Sequence, residues 1–331
     1  MEKVLSIVVP SYNAEQFLLE TIPTMASVSN QEKLEIIIVN DGSNDATIDL
    51  ARKLENDYQG TIVVIDKENG GHGSTINAGI NVARGKYFKV IDADDWVKTE
   101  NLSSLIEYLT TCDDDEVISP FIKVFMDSET EEQYNYNVLH PRETYIYKEF
   151  LAEISEIPKM HAITIKTSIL KENHIFIDEN CFYVDLEYNT FPMPYIKTIS
   201  YFQQPIYCYR LGTPTQSVSM QSYIKNIKMH EKVIFSLILF FNDYQSATPI
   251  EKNLLAKLIG EALTIHSNIY LAMEDSSQSK KKYKEFEKIV KEMSPLLFQA
   301  PKGNKIRLLR KSNYVLFNLL SKLYRKSLNR L

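Results

Sequence analysis

Short apolar runs alternate with segments of helical period over the first ninety residues, and this alternation narrows the possible folds more than any other feature. Leu5 to Pro10, Leu34 to Val39, Thr61 to Ile65 and Tyr87 to Ile91 read as strands. About Ala14 to Met25, about Asp45 to Tyr58 and a stretch ending near Ala83 read as helices. Strands separated by whole helices cannot pair as hairpins, so the pattern predicts an α/β fold with a mainly parallel sheet and helices on both faces. In such sheets ligands bind beyond the C-terminal ends of the strands. Asp41, the turn Asn69-Gly70-Gly71-His72-Gly73 and the cluster Asp92-Ala93-Asp94-Asp95 all fall at that rim.

Past Pro120 the alternation lapses. Lys123 to Tyr147 is acidic and then Tyr-rich, without helical period, and reads as an excursion or hairpin over the rim. His161 to Ile165, Ile199 to Phe202 and Ile206 to Arg210 read as strands, and Thr167 to Asn173 as a helix. Asp178 to Tyr188 carries Asp185 into a short helical segment before Pro192 and Pro194. From Gly212 onward the pattern is helical, near 222–244, 250–273, 280–293 and 304–331. This predicts an α/β domain over 1–218 and a helical region over 219–331.

The net charge of −6 hides an asymmetry. From Ser276 onward, 15 Lys and Arg stand against 3 Glu; before it, 22 basic residues stand against 40 acidic ones. An acidic body argues against nucleic-acid binding, and the basic tail suits an anionic surface or the body itself. No apolar run reaches the length of a membrane span, and Met1-Glu2-Lys3-Val4 passes straight into a strand pattern, so the expectation is a cytoplasmic chain without a signal peptide. Cys112, Cys181 and Cys208 lack both disulfide pairing and metal-ligand spacing.

Three carboxylates within four residues at a strand end repel one another, and a hard divalent cation with oxygen ligands would neutralise them. A solvated acidic turn capping the next helix is the plainer alternative. Two familiar nucleotide motifs fail. Gly71-His72-Gly73 lacks the third glycine of a dinucleotide fingerprint. Gly79 to Lys86 has one residue too many for a P-loop and precedes a strand.

Four motifs in order carry a resemblance: Val8-Val9-Pro10-Ser11-Tyr12-Asn13, Val39-Asn40-Asp41-Gly42-Ser43, Asn69-Gly70-Gly71 with Asn77-Ala78-Gly79, and Asp92-Ala93-Asp94-Asp95. Together they resemble the inverting family two glycosyltransferases, which have the GT-A fold. The resemblance covers residues 4 to 97 and extends more loosely to about 219. It implies a nucleotide-sugar donor, with UDP favoured, and Mn2+ or Mg2+ as cofactor. Asp92 then lies toward the ribose, Asp94 ligates the metal with Asp92 beside it, and Asp95 supports them or faces the acceptor. Pro10, Tyr12 and Asn13 line the nucleotide pocket, with Gly71 and Asn77 on the same side. Asp41 suits a nucleobase imide N–H, or alternatively caps its own turn through Gly42 and Ser43.

Inverting transfer needs a base for the acceptor hydroxyl. The family's Glu-Asp pair aligns with Val184-Asp185, so the preceding acid is lost while Asp185 remains as the base; Glu187 is the rival. Arg210, followed by Gln216-Ser217-Val218-Ser219, resembles a loop that closes over the donor and could pair with its diphosphate. His72 and His161 could touch substrate or be structural. The Gln-x-x-Arg-Trp motif of processive members is absent and Trp96 is the sole tryptophan, which implies transfer of a single sugar. Such members build bacterial capsule, exopolysaccharide or other surface glycans on lipid-linked acceptors at the inner leaflet. In 304–331, Leu309, Leu316, Leu320, Leu323 and Leu328 fall on one side and Lys311, Lys322, Arg325 and Asn329 largely opposite. That reads as an amphipathic helix for an anionic membrane or for docking on the body. A sugar nucleotidyltransferase would need a basic phosphate loop after the first strand, where Ser11-Tyr12-Asn13 stands. An inactive assembly partner would not need Asp41, Asp92, Asp94 and Asp185.

Overall fold

The computed structural model describes residues 2–136, 140, 143–212 and 219–328. Two compact units divide the chain, Met1–Ile154 with Pro158–Thr213 and Ser155–Ile157 with Pro214–Leu331.

The first unit opens with β1 (Leu5–Ser11), α1 (Glu15–Ala26), β2 (Leu34–Asp41), α2 (Thr47–Asp57), β3 (Ile62–Lys67), α3 (His72–Val82) and β4 (Tyr87–Val90). It continues through β5 (Trp96–Val97), α4 (Thr99–Thr111), β6 (Glu116–Ile118), β7 (Phe121–Phe125), β8 (Thr130–Tyr134), β9 (Thr144–Ile146) and α5 (Tyr147–Glu153). It closes with β10 (Ile163–Lys166), α6 (Thr167–Glu172), α7 (Asp185–Thr190), β11 (Thr198–Tyr201) and β12 (Tyr207–Leu211). The main sheet runs β3-β2-β1-β4-β10-β6-β11-β9, and β1 to β4 are all parallel within it. Every residue of β1 and β2 is buried, as a strand covered on both faces requires. Pro10 fits here because the ladder to β4 ends with Ile91 N–H donating to the Val8 carbonyl. One step further, the missing Pro10 donor faces no strand partner.

A second sheet, β5-β12-β7-β8, was not expressed in the sequence pattern. The region expected as an excursion supplies the β7–β8 hairpin, and β12 lies parallel to β7 with Cys208 opposite Ile122. β12 also pairs antiparallel with β5, setting Cys208 against Trp96, immediately after the acidic cluster.

The second unit comprises α8 (Met220–Lys225), α9 (Ile227–Asp243), α10 (Pro249–Ala272), α11 (Ser276–Met293), α12 (Pro295–Gln299), α13 (Asn304–Lys311) and α14 (Phe317–Leu328). α10 starts in a capping box in which Thr248 and Glu251 satisfy each other's backbone amides. The expected single amphipathic tail helix is two helices, broken where Asn313 and Tyr314 take positive φ. Leu309 is fully buried, not part of an outward stripe, and Ile306, Phe317 and Ser321 join it against the bundle. Arg310 grips buried Glu287 through two nitrogens at 2.6 and 2.8 Å. Asn329 lies outside the described residues. No described helix is long and apolar enough to cross a membrane.

Candidate active site

The C-terminal ends of β2 and β4, the start of α3 and the start of α7 supply the residues singled out from the sequence. Asp41 ends β2 and is buried. Its Oδ1 accepts from Lys67 Nζ at 2.8 Å and Gly70 N at 2.9 Å, and its Oδ2 accepts from Gly71 N at 2.8 Å. The carboxylate therefore clasps the glycine turn instead of capping its own turn at Gly42 and Ser43. Gly71 can end that clasp because its φ of +80° suits glycine alone.

The same turn is stapled to the chain leading into α7. The Asn180 amide donates to the Gly70 carbonyl at 2.5 Å. Asn77 pairs with both backbone groups of Ile177, at 2.8 and 2.9 Å, so its amide serves the fold before any ligand. A Cβ on Gly73 would sit 2.1 Å from the Asp178 carbonyl. Buried Glu187 accepts from the Asp178 amide at 2.8 Å, which makes the rival base a structural anchor for the segment. These contacts bring Asp185, at the first position of α7, to the acidic loop after β4. Tyr183, two residues before it, holds φ +69° in the left-handed region.

His72 sits between the two acidic elements. Its Nε2–H donates to Asp92 Oδ1 at 2.8 Å. Burial pulls the imidazole down, but the charges of Asp92, Asp185 and Asp94 outweigh it and raise its affinity for a proton. For Asp92, burial pushes up while the His72 charge and hydrogen bond push harder down, leaving the carboxyl below its ordinary value. Burial and the Asp92 charge push Asp94 up to about 6. Burial raises Asp185 as well, with Asp92 adding to it and His72 opposing. Among the described residues, no side chain hydrogen-bonds the Asp185 carboxylate.

Asp95 is committed elsewhere. It is fully buried, accepts from Tyr207 Oη–H at 2.6 Å and from the Arg210 amide at 2.7 Å, and ties the acidic loop to β12. The Arg210 guanidinium lies beneath the same loop, 4.8 Å from the Trp96 ring. Its Nε donates to the Asp94 carbonyl at 2.7 Å and one terminal nitrogen to Glu20 at 3.1 Å. It braces the acidic loop from below. The Gln216-Ser217-Val218 part of the expected closing loop lies outside the described residues. Tyr12 is exposed at the rim. Asn13 knits β1 to the β2 loop, with Asn44 N donating to its Oδ1 at 2.9 Å.

Two participants escaped the sequence reading. Tyr207 holds Asp95 and also receives the Asp92 amide at 3.1 Å; one tyrosine among 20 carried no mark. Lys89, fully buried in β4, donates to the His161 and Ile163 carbonyls at 2.9 and 3.1 Å, and burial pulls it down to about 7. A lysine inside the apolar run Tyr87 to Ile91 was the available clue. His161 packs against Phe121, Tyr207 and Tyr209, and burial pulls it to about 4, so it is neutral at physiological pH.

The donor set suits a hard divalent cation. Asp92 and Asp94 are hard carboxylate donors, and burial first, then the Asp92 charge, raises Asp94 to about 6, a cost that a cation would relieve. Among the described residues no group of three or more His, Cys, Asp or Glu side chains is placed to hold a metal ion.

Comparison with known proteins identifies the family and the fold. The chain is 30% identical over 183 residues to an uncharacterised glycosyltransferase of Rickettsia prowazekii, spanning 55% of this chain and 54% of that one. To the putative glycosyltransferase EpsH of Bacillus subtilis it is 26% identical over 287 residues, 81% of this chain and 76% of the other. Among solved structures, S. aureus TarS 1–349 in complex with UDP-GlcNAc overlays with a TM-score of 0.60 at 17% identity, covering 98% of this chain and 92% of that one. Mannosyltransferase PcManGT from Pyrobaculum calidifontis, in complex with GDP-Man and Mn2+, gives 0.54 at 15% identity, covering 98% and 87%. The fold is GT-A, followed by a helical region. The Glycosyl transferase family 2 profile matches residues 6–174, from β1 through the glycine turn and the acidic cluster to α6. On that match the chain belongs to glycosyl transferase family 2.

Proposed function

We propose that this protein is a metal-dependent, inverting, non-processive glycosyltransferase. It moves one sugar from a nucleotide-sugar, most simply a UDP-sugar, to a hydroxyl of a membrane-linked glycan acceptor in cell-surface glycan synthesis. One observation carries the reading. Asp92 and Asp94, and Asp185 from a distant part of the sequence, share a single electrostatic site through His72 at the C-terminal rim of the sheet. The UDP-GlcNAc bound to TarS favours UDP, and the Mn2+ of PcManGT favours a divalent ion. A poly(ribitol-phosphate) beta-glucosyltransferase of Bacillus spizizenii, 33% identical over 100 residues, favours a surface-polymer acceptor.

In this reading Asp94, with Asp92, holds Mn2+ or Mg2+, which supplies Lewis-acid stabilisation of charge on the departing diphosphate. Asp41 keeps the glycine turn in place and accepts from the nucleobase imide, with Pro10, Tyr12 and Asn13 completing that wall. Gly71 and Asn77 shape the wall from the α3 side. Asp185, raised by burial and with no side chain among the described residues hydrogen-bonded to it, takes the proton of the attacking hydroxyl. Arg210 braces the acidic loop and reaches the diphosphate only by leaving Glu20 and the Asp94 carbonyl. The expected location is the inner face of the plasma membrane, with 304–331 as the contact.

The test is nucleoside diphosphate release from a panel of UDP-, GDP-, CDP- and dTDP-sugars, with manganese and with chelator. Metal-dependent turnover of one donor is the expected result; no binding of any nucleotide would overturn the reading. Asp94→Asn should abolish metal-dependent turnover. Asp185→Asn should bind donor normally yet lose transfer by at least ~100-fold; near-normal transfer would remove Asp185 from its role.

A further inference from the structure

The two-helix tail leaves a face of α14 that the bundle does not use. Phe317 and Ser321 are fully buried, and Ser321 Oγ donates to the Leu271 carbonyl at 2.8 Å, fixing which side of α14 points inward. On the opposite side, Val315 in the preceding turn is 72% exposed, Leu319 55% and Leu323 56%. Leu319 and Leu323 are four apart, which stacks them along the helix, and Val315 stands four residues before Leu319 in the turn that leads into it. Lys322 and Lys326 are exposed on the same face. This differs from the straight-helix expectation, in which Lys322 falls opposite Leu323. Isolated exposed leucines are ordinary on protein surfaces, but an aligned stripe interleaved with lysines is not.

Charge selects the occupant. From Lys302 to Arg330 there are nine basic residues and no acidic one. Of the basic residues, Arg310 is spent on Glu287 and Arg325 on the Glu274 carbonyl. Lys311, Lys322 and Lys326 are exposed and have no ion-pair partner among the described residues. An anionic bilayer accepts this combination: leucines enter the boundary between headgroups and acyl chains, while lysine stems lie along them and carry their charges up to lipid phosphates.

We propose that the Val315–Leu319–Leu323 face of α14, with Lys322 and Lys326, is the surface by which this protein lies on an anionic lipid membrane. The proposal deepens the reading of a membrane-linked acceptor and rests on it for its purpose, though not for its test.

The full chain is sedimented with phosphatidylcholine vesicles, with and without phosphatidylglycerol, while donor turnover is followed in the same samples. Binding is expected only to the anionic vesicles and should weaken with added salt. Leu319→Glu with Leu323→Glu should lower the partition coefficient at least ~10-fold. Lys322→Glu and Lys326→Glu should each cost roughly fivefold or more. Donor turnover should be unchanged in every variant, since no residue altered lies in the catalytic machinery. Undiminished vesicle binding by the double leucine variant would overturn the assignment. So would absence of wild-type binding accompanied by a self-association that the same variant abolishes, which would give the face to a second copy. Vesicle binding without any donor turnover would leave the surface standing and sink the enzymatic reading instead.

Discussion

Glu116 shows how this fold treats a charge it gives no partner. The residue lies in β6 between β10 and β11, is buried, and its Oε1 has no hydrogen-bond partner among the described residues. Burial alone pushes its carboxyl from an ordinary 4.5 up to about 8. Between those values the folded protein holds a proton that the unfolded chain has released. The associated stability is therefore complete below the lower value and is lost as pH rises through the upper one. Glu116→Gln, neutral throughout, should remove that dependence. Its unfolding free energy relative to the parent, followed by thermal unfolding, should improve steadily from pH 5 to pH 8, by up to about 1.4 kcal/mol per pH unit. A constant difference would mean that Glu116 is ionised in the folded state. The carboxylates of the candidate site differ because each has a charged neighbour. His72 holds Asp92 down while Asp94, without a comparable bond, rises to about 6.

At the scale of elements, the site depends on how closely the start of α3 meets the chain before α7. Gly73 is the tightest point, its missing Cβ standing 2.1 Å from the Asp178 carbonyl and 3.0 Å from Ile177 Cγ2. Because the nearest obstacle is backbone, Gly73→Ala cannot be absorbed by a side-chain rotation. It should cost about 1–3 kcal/mol, readable as a lowered denaturant midpoint. It should also impair transfer more than donor binding, since it displaces Asp185 relative to His72 while leaving Asp41 and β2 in place. Equal losses in both would show that the shift spreads through the glycine turn. The spacing of strands and helices up to β4 was legible because each element follows its own hydrophobic period. β5 and β12 were not paired in that reading: a two-residue strand has no period, and its partner lies more than a hundred residues away.

For the whole molecule, each compact unit has its own buried core. One is built on β1, β2 and β4, and the other on residues such as Leu237, Ile259, Leu263, Tyr283 and Phe286. Unfolding should therefore depart from two-state behaviour, with a van't Hoff enthalpy below the calorimetric one; equality would show a single cooperative unit. The sequence by itself determined the parallel α/β order, the position of Asp41, Asp92 and Asp94 at strand ends, and the motif order of family 2. These follow from local periodicity and from where strands stop. Only the tertiary structure decided that Asp41 clasps the glycine turn, that Glu187 and Asn77 hold backbone, and that Arg210 and Asp95 seal the loop from below. It likewise decided which face of the tail is outward. Each of these outcomes depends on which distant backbone group meets a given polar atom, and no local pattern encodes that meeting.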